Sequence, residues 1–307
     1  MKKTFKKRAF ISAIAMLIVS AIVLTSATYA WFSMAKRVEV ESMELNVTSP
    51  EGIQISANTS AFTTKLTVDD IKGTSTTRFN AYTGNVNNIP TTVIPSSSIF
   101  ETNGALPQWF TGSIDDQNRM NISSRTEVGS GFVAFDLFVK VKDATTVKFG
   151  SSTVTCDGNP ELPTAMRIAL VRCGTVEEGA DASTIQSVLP SSAAAGKVIY
   201  ELDAANHTSA AIAQGASGVM TTLGLYTTGS FSVVGKPYNN IVNGTGATSY
   251  ARAIGATIAT TASNANISVA AGITRLRVYM WMEGNDVDCA NDVAGSTINF
   301  NLVLEID

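Results

Sequence analysis

Apolar and polar positions alternate with period two over three long stretches of the chain. Phe132 to Lys142 sets Val133, Phe135, Leu137, Val139 and Val141 against Asp136, Lys140 and Lys142. Thr297 to Ile306 sets Ile298, Phe300, Leu302, Leu304 and Ile306 against Thr297, Asn299, Asn301 and Glu305. Ile273 to Glu283 sets Leu276, Val278, Met280 and Met282 against Arg275, Arg277, Tyr279 and Trp281. Strict alternation puts the two sets on opposite faces of an extended strand, so each stretch predicts a strand with one buried face. Tyr279 and Trp281 on the second side of the third stretch predict that this face is not fully solvated.

A fourth strand, nearer the N-terminus, changes phase. Val38 and Val40 lie on even positions, whereas Met43, Leu45 and Val47 lie on odd ones, which predicts a β-bulge or break near Glu41 and Ser42. Shorter strands are expected at Gly52–Ser56, Lys197–Leu202 and Phe231–Val234. A hairpin pairing Val147–Cys156 with Met166–Cys173 is expected through a turn at Asp157–Pro160. Helical periodicity is weak beyond the first thirty residues, and Val176–Leu189 has room for a turn or two. Many short strands punctuated by Gly, Asn, Ser and Pro predict an all-β fold, an antiparallel β-sandwich of jelly-roll or Ig-like type with long loop insertions. Residues 31–307 then form a single β-rich domain. Residues 204–272, with Lys236 and Arg252 their only charges, read as an insertion within it, the alternative being a separate domain.

The first thirty residues follow another pattern. Lys2, Lys3, Lys6, Lys7 and Arg8 precede an apolar run from Ala9 to Leu24, which gives way to Thr25–Ala30. A basic start, a short apolar stretch and a small-residue exit are the layout of a secretory signal. The run, broken by Ser12 and Ser20, falls short of the ~20 apolar residues that span a bilayer, which favours cleavage between Ala30 and Trp31 over a retained anchor. The membrane is then met only through residues 1–30, before the signal peptidase acts, and the mature protein is secreted.

Loss of that leader removes five positive charges and leaves 17 Lys and Arg against 25 Asp and Glu, a balance of −8. An acidic mature chain disfavours nucleic acid and anionic membrane surfaces as partners. The three cysteines fit an exported chain with at most one disulfide. In the expected hairpin Cys156 and Cys173 stand at opposite ends, farther apart than the ~7 Å between Cα atoms that a bridge allows. The expected bridge is therefore long-range, Cys156 to Cys289.

The exit of the leader, Ala27-Thr-Tyr-Ala-Trp-Phe-Ser33, followed directly by a strand, resembles the N-terminal region of secreted Firmicutes proteins processed by the SipW type of signal peptidase, among them the TasA and camelysin matrix proteins. The segment Val278–Asn291 is similar to an element of clostridial surface proteins that share this leader. The resemblance implies an extracellular β-sandwich subunit that polymerises into biofilm-matrix fibres, the freed N-terminal strand of one subunit completing the sheet of the next. Val38, Val40, Met43, Leu45 and Val47 would be the apolar residues of that donor strand.

Catalytic motifs are missing. The sequence holds no HExxH, no Gly-x-Ser-x-Gly and no P-loop. The single histidine, His207, has no Asp or Glu in the sixty residues after it, and reads as a surface side chain. No enzymatic activity and no cofactor are expected. Asp286, Asp288 and Asp292 crowd into one loop, where oxygen ligands of this density are a candidate Ca²⁺ site, although neither the Gly nor the closing Glu of an EF-hand is present; the alternative is a solvated acidic loop. Two functions follow as expectations: a self-associating subunit of an extracellular fibre or biofilm matrix, or a non-polymerising cell-surface adhesin that binds carbohydrate or another ligand through its loops.

Overall fold

The computed structural model describes residues 38–48, 52–72, 87–99, 107–114, 119–125, 130–188, 196–209, 240–243, 257–284, 286, 288–289 and 295–306. They form β1 (Val38–Thr48), β2 (Gln54–Ser56), β3 (Lys65–Thr67), α1 (Val68–Lys72), β4 (Asn87–Asn88), β5 (Thr92–Val93), β6 (Ser97–Ile99), β7 (Gln108–Ile114), β8 (Arg119–Arg125) and β9 (Val133–Val141). There follow β10 (Thr145–Phe149), β11 (Thr153–Asp157), β12 (Met166–Val176), α2 (Ala182–Ser187), β13 (Lys197–Tyr200), β14 (Asn240–Asn243), β15 (Thr257–Ala259), β16 (Asn266–Val269), β17 (Gly272–Met282) and β18 (Thr297–Ile306). The fold is all-β. No helix among the described residues is long and apolar enough to cross a membrane.

Two seven-stranded sheets carry the core. The first runs β16-β10-β18-β1-β3, with β11 also on β18 and β5 on β1. The second runs β15-β13-β12-β17-β9-β2, with β4 on β9. The alternating sets read from the sequence meet in one buried cluster that joins Val133, Phe135, Leu137 and Val139 to Leu276, Val278 and Met280, and to Ile298, Phe300, Leu302 and Leu304. A four-stranded sheet, β14-β8-β7-β6, completes the structure.

Both faces of β9 and β17 are covered. Trp109 of β7 packs on the outer side of the second sheet with Phe132, Ala134, Ala169, Val171, Ile199, Tyr279 and Trp281. Beside it Ile185 of α2 closes over Phe138 and Ile273. The burial expected from Tyr279 and Trp281 is found, but Asp136, placed by its alternation on a polar face, is only 1% exposed. Gly272, where β17 begins, has φ +108, and a Cβ there would lie 2.1 Å from the carbonyl oxygen of Val176. Only glycine allows β12 and β17 to approach so closely at that end.

The expected hairpin is not formed. β11 pairs with β18, Cys156 standing opposite Ile298, whereas β12 lies in the other sheet between β13 and β17. Asp157–Pro160 is the passage between sheets. The side chain of Asn159 accepts the backbone N–H groups of Glu161 and Leu162, starting a 3₁₀ turn at Leu162–Ala165 that delivers the chain to β12. Alternation identified these strands, but it does not report which strand lies alongside.

The phase change in β1 is a register shift between Val40 and Ser42 against β18. One extra residue, Glu41, lets Val38 and Val40 point to the same core as Met43, Leu45 and Val47, and all five are buried. These candidate donor residues lie in the interior of their own chain's sheet, β1 running parallel to β18 and antiparallel to β3 and β5. Residues 204–272 supply strands to all three sheets, β14 beside β8, β15 beside β13 and β16 beside β10. The expected strand at Lys197–Leu202 is β13, and α2 falls within Val176–Leu189. Residues 1–37, with Ala30 and Trp31, and residues 231–234 lie outside the described residues.

Candidate functional site

His207 stands at the centre of the principal polar cluster of the described residues. β13 ends at Tyr200 and Glu201 follows at once, after which the 3₁₀ turn Ala204–Asn206 brings the chain back so that His207 faces Glu201. At the start of β12, Arg167 turns away from the apolar face carrying Met166, Ile168 and Leu170. β17 gives way to a tight turn in which the N–H of Asp286 donates to the carbonyl of Glu283 and that of Cys289 to the carbonyl of Asp286. Three segments distant in sequence thus converge.

Hydrogen bonds join them closely. The imidazole of His207 meets Asp288 Oδ2 through Nδ1 at 2.7 Å and Glu201 Oε1 through Nε2 at 2.8 Å. Arg167 Nη2 lies 2.6 Å from Glu201 Oε1 and 2.5 Å from Asp286 Oδ2, and its Nη1 donates to the carbonyls of Thr164 and Met166. Asp288 Oδ2 accepts from Thr164 Oγ1 at 2.9 Å and from the N–H of Thr208 at 3.1 Å. The Thr208 hydroxyl donates to Asp288 Oδ1. Trp281 Nε1 donates to Glu283 Oε2 at 3.1 Å. Arg167, Glu201, Glu283 and Asp286 are fully buried, Asp288 is 2% exposed and His207 6%.

Charge follows from that geometry. Burial alone disfavours a protonated imidazole, but the hydrogen bonds to Asp288 and Glu201 and the nearby charge of Asp286 outweigh it, and the pKa of His207 rises to about 9. Burial likewise opposes the charge of Asp288, yet the donors His207, Thr208 and Thr164 hold its carboxyl below the ordinary value. Burial prevails at Asp286 and pushes its carboxyl up in spite of Arg167.

This arrangement binds segments together. Both ring nitrogens of His207 are taken by carboxylates, so neither is available as a general base. The neighbouring hydroxyls of Thr164 and Thr208 donate to Asp288. The reading of His207 as a surface side chain is overturned, because its partners come from Glu201 before it and from Asp288, 81 positions after it. At the candidate calcium loop the described carboxylates are not solvated. Asp286 and Asp288 turn inward and spend their oxygens on Arg167, His207, Thr164 and Thr208, while Asp292 lies outside the described residues. Glu201, His207 and Asp286 present ligand atoms within 4.8 Å of one another, but the guanidinium of Arg167 already bridges the two carboxylates as the local cation.

A second buried cluster lies on the outer side of the second sheet. Asp136 Oδ2 accepts from Arg275 Nη2 at 2.6 Å, and Asp136 Oδ1 accepts from Arg277 Nε at 2.9 Å. Arg275 Nη1 also donates to the carbonyls of Gln186 and Val188 at the end of α2. Burial pushes the nearby Cys173 thiol up to about 11. The expected Cys156–Cys289 disulfide is not formed, and Cys156, Cys173 and Cys289 are thiols; Cys156 faces Ile298 on β11, whereas Cys289 is buried in the turn after β17.

Arg167, Glu201 and Glu283 were not among the residues singled out from the sequence. The available signals were a charged residue inside an apolar strand, at Arg167, and Glu201 placed six positions before the only histidine. Comparison with protein families, with curated proteins and with solved structures finds no match for this chain.

Proposed function

We propose that this protein is an exported, non-enzymatic β-sandwich, a structural subunit of an extracellular fibre or biofilm matrix that assembles by exchanging β1 between copies. Its leader is removed between Ala30 and Trp31 by a signal peptidase, and its contact with the membrane ends there. The likeness of that exit to the SipW-processed matrix proteins supports this reading.

The observation that carries it is the position of β1. From Glu39 opposite Thr297 to Thr48 opposite Glu305, a strand near the N-terminus pairs in parallel with a strand more than 250 residues later. Its five buried side chains and its ladder hydrogen bonds can be supplied equally well by the same segment of another copy. Exchange of an identical element keeps every native contact and is a low-cost route to assembly.

Ser42 and Asn299 are directly opposite, Ser42 Oγ donating to Asn299 Oδ1 at 2.6 Å. The test is the double variant Ser42→Cys/Asn299→Cys, secreted, oxidised and run on a non-reducing gel beside negative-stain microscopy. A ladder of covalent multimers, with filaments that vanish when residues 31–47 are deleted, is the expected result. A variant that always closes within its own chain, with monodisperse particles, overturns strand exchange. That outcome would favour the second reading, a self-completed surface protein that binds carbohydrate or another ligand through its loops. The observation on its side is that β1 finds all its partners at home.

A further inference from the structure

The His207 cluster joins the chain just beyond the paired ends of β13 and β17 to the start of β12, the strand that lies between them. Glu201 and Thr208 bracket the entry to the low-charge stretch, Asp286 and Asp288 belong to the connection from β17 to β18, and Thr164 and Arg167 open β12. We propose that the imidazole of His207 is a proton-operated latch, closed while both ring nitrogens carry hydrogen, whose deprotonation releases residues 201–209 from the β17–β18 connection.

Donors and acceptors distinguish the two states of the latch. A carboxylate only accepts, and His207 has one on each nitrogen, at 2.7 and 2.8 Å. The imidazolium donates to both. Neutral imidazole has one donor and one lone pair, so one of the two contacts becomes lone pair against carboxylate. Glu201 Oε2 is buried with no hydrogen-bond partner among the described residues, and Arg167 Nη2 is already shared between Glu201 and Asp286.

The charged groups facing the imidazole deepen the effect. They are Glu201 from the end of β13, Asp286 and Asp288 from the β17–β18 connection, and Arg167 from β12, with Glu283 beyond Arg167. With His207 protonated, two cations stand among four carboxylates. Without that proton, Arg167 alone remains in a buried site, where an uncompensated charge is costly.

The direction with pH follows. The folded pKa of His207, about 9, lies above the ordinary 6.5, so its contribution is complete below about pH 6.5 and is lost as pH rises through about 9. Asp288, held below its ordinary value, contributes above that value and loses its contribution only as pH falls through the lower, folded one. Asp286 is shifted upward, so its ionisation weakens the fold. The latch therefore holds at mildly acidic and neutral pH and opens on the alkaline side. It does not depend on whether the protein assembles.

The test uses the full secreted chain. Limited proteolysis at pH 6.5, 8 and 9.5, mapped by mass spectrometry and corrected for protease activity, reads cleavage within residues 201–209 and 283–289. Cleavage there should rise roughly a hundredfold from pH 6.5 to 9.5, the order that a shift of more than two pKa units permits, with other sites unchanged. H207Q should be cleaved at pH 6.5 as the parent is at 9.5, with no further dependence on pH. Cleavage in the parent that stays flat, or an H207Q variant that keeps the parental pH profile, overturns the latch. Should H207Q fail to fold, the parent decides, since its only histidine gives a single imidazole signal by NMR. Coincident midpoints of imidazole titration and cleavage support the latch, and separate midpoints refute it.

Discussion

Asp136 and Arg277 face each other directly across β9 and β17, joined by two hydrogen bonds at 2.9 and 3.3 Å in a site that water does not reach. Arg275, two residues along the same strand, reaches the same carboxylate. One anion thus holds two guanidinium groups beneath α2 and Val188. Removing it leaves both cations buried, a loss of about 3–5 kcal/mol. Asp136→Ala should therefore lower the urea midpoint by that measure. The triple variant Asp136→Leu/Arg275→Met/Arg277→Met should recover most of it, because apolar side chains of similar volume need no counter-charge. A loss below about 1 kcal/mol in the single variant is what an exposed ion pair would give.

The bulge in β1 makes a prediction about deletions. Without Glu41, Val40, Ser42 and Met43 alternate as a regular strand and every apolar side chain keeps its face, so the deletion should change stability by less than about 1 kcal/mol. Without Glu44, a residue only three positions away, Leu45 and Val47 turn to the polar face. The loss should be about 3–6 kcal/mol, at about 1.5–3 kcal/mol for each side chain taken out of the core. Thermal unfolding of the two variants checks the contrast, and equal losses would be incompatible with the observed register.

Thiol labelling distinguishes the three cysteines. Cys173 and Cys289 are buried and Cys156 is partly exposed. Cys173 also carries a thiol raised to about 11, leaving very little thiolate at pH 8. A maleimide at that pH should modify one thiol per folded chain, identified as Cys156 by peptide mapping, and three in denaturant. A count of one in denaturant would instead reveal a disulfide.

Trp109 fastens the four-stranded sheet to the outer side of the second sheet. Its ring stacks on Phe132 at 4.2 Å between centroids and meets Trp281 edge-on at 5.3 Å. Trp109→Ala should cost about 3–5 kcal/mol by cavity formation, accompanied by loss of near-ultraviolet dichroism. Trp109→Phe should retain most of both.

Much of this fold was legible in the chain. Period-two alternation identified β9, β17 and β18 with their core faces, and the phase change at Val40 announced the bulge, because both are local consequences of a strand lying on a core. Pairing was not legible. Met166–Cys173 reads equally well as the second arm of a hairpin or as a strand of the other sheet, and only the long-range neighbours β13 and β17 decide. The His207 cluster was hidden in the same way. Its members come from positions 164–167, 201–208 and 283–288, and an acidic loop looks solvated until the arginine and histidine that neutralise it are found elsewhere in the chain.

The pairing of β1 with β18 bears on the order in which this protein acquires its structure. β1 is made well before its long partner, which follows more than 250 residues later. Until β18 appears, the ladder positions from Glu39 to Thr48 wait unfilled along one side, with Val38, Met43 and Leu45 lacking half of their eventual neighbours. Closing so long a loop is slow, and open strand edges are exposed to other molecules while it happens. Refolding should therefore be slow and concentration-sensitive, with the last step set by a meeting of strands that sequence holds far apart.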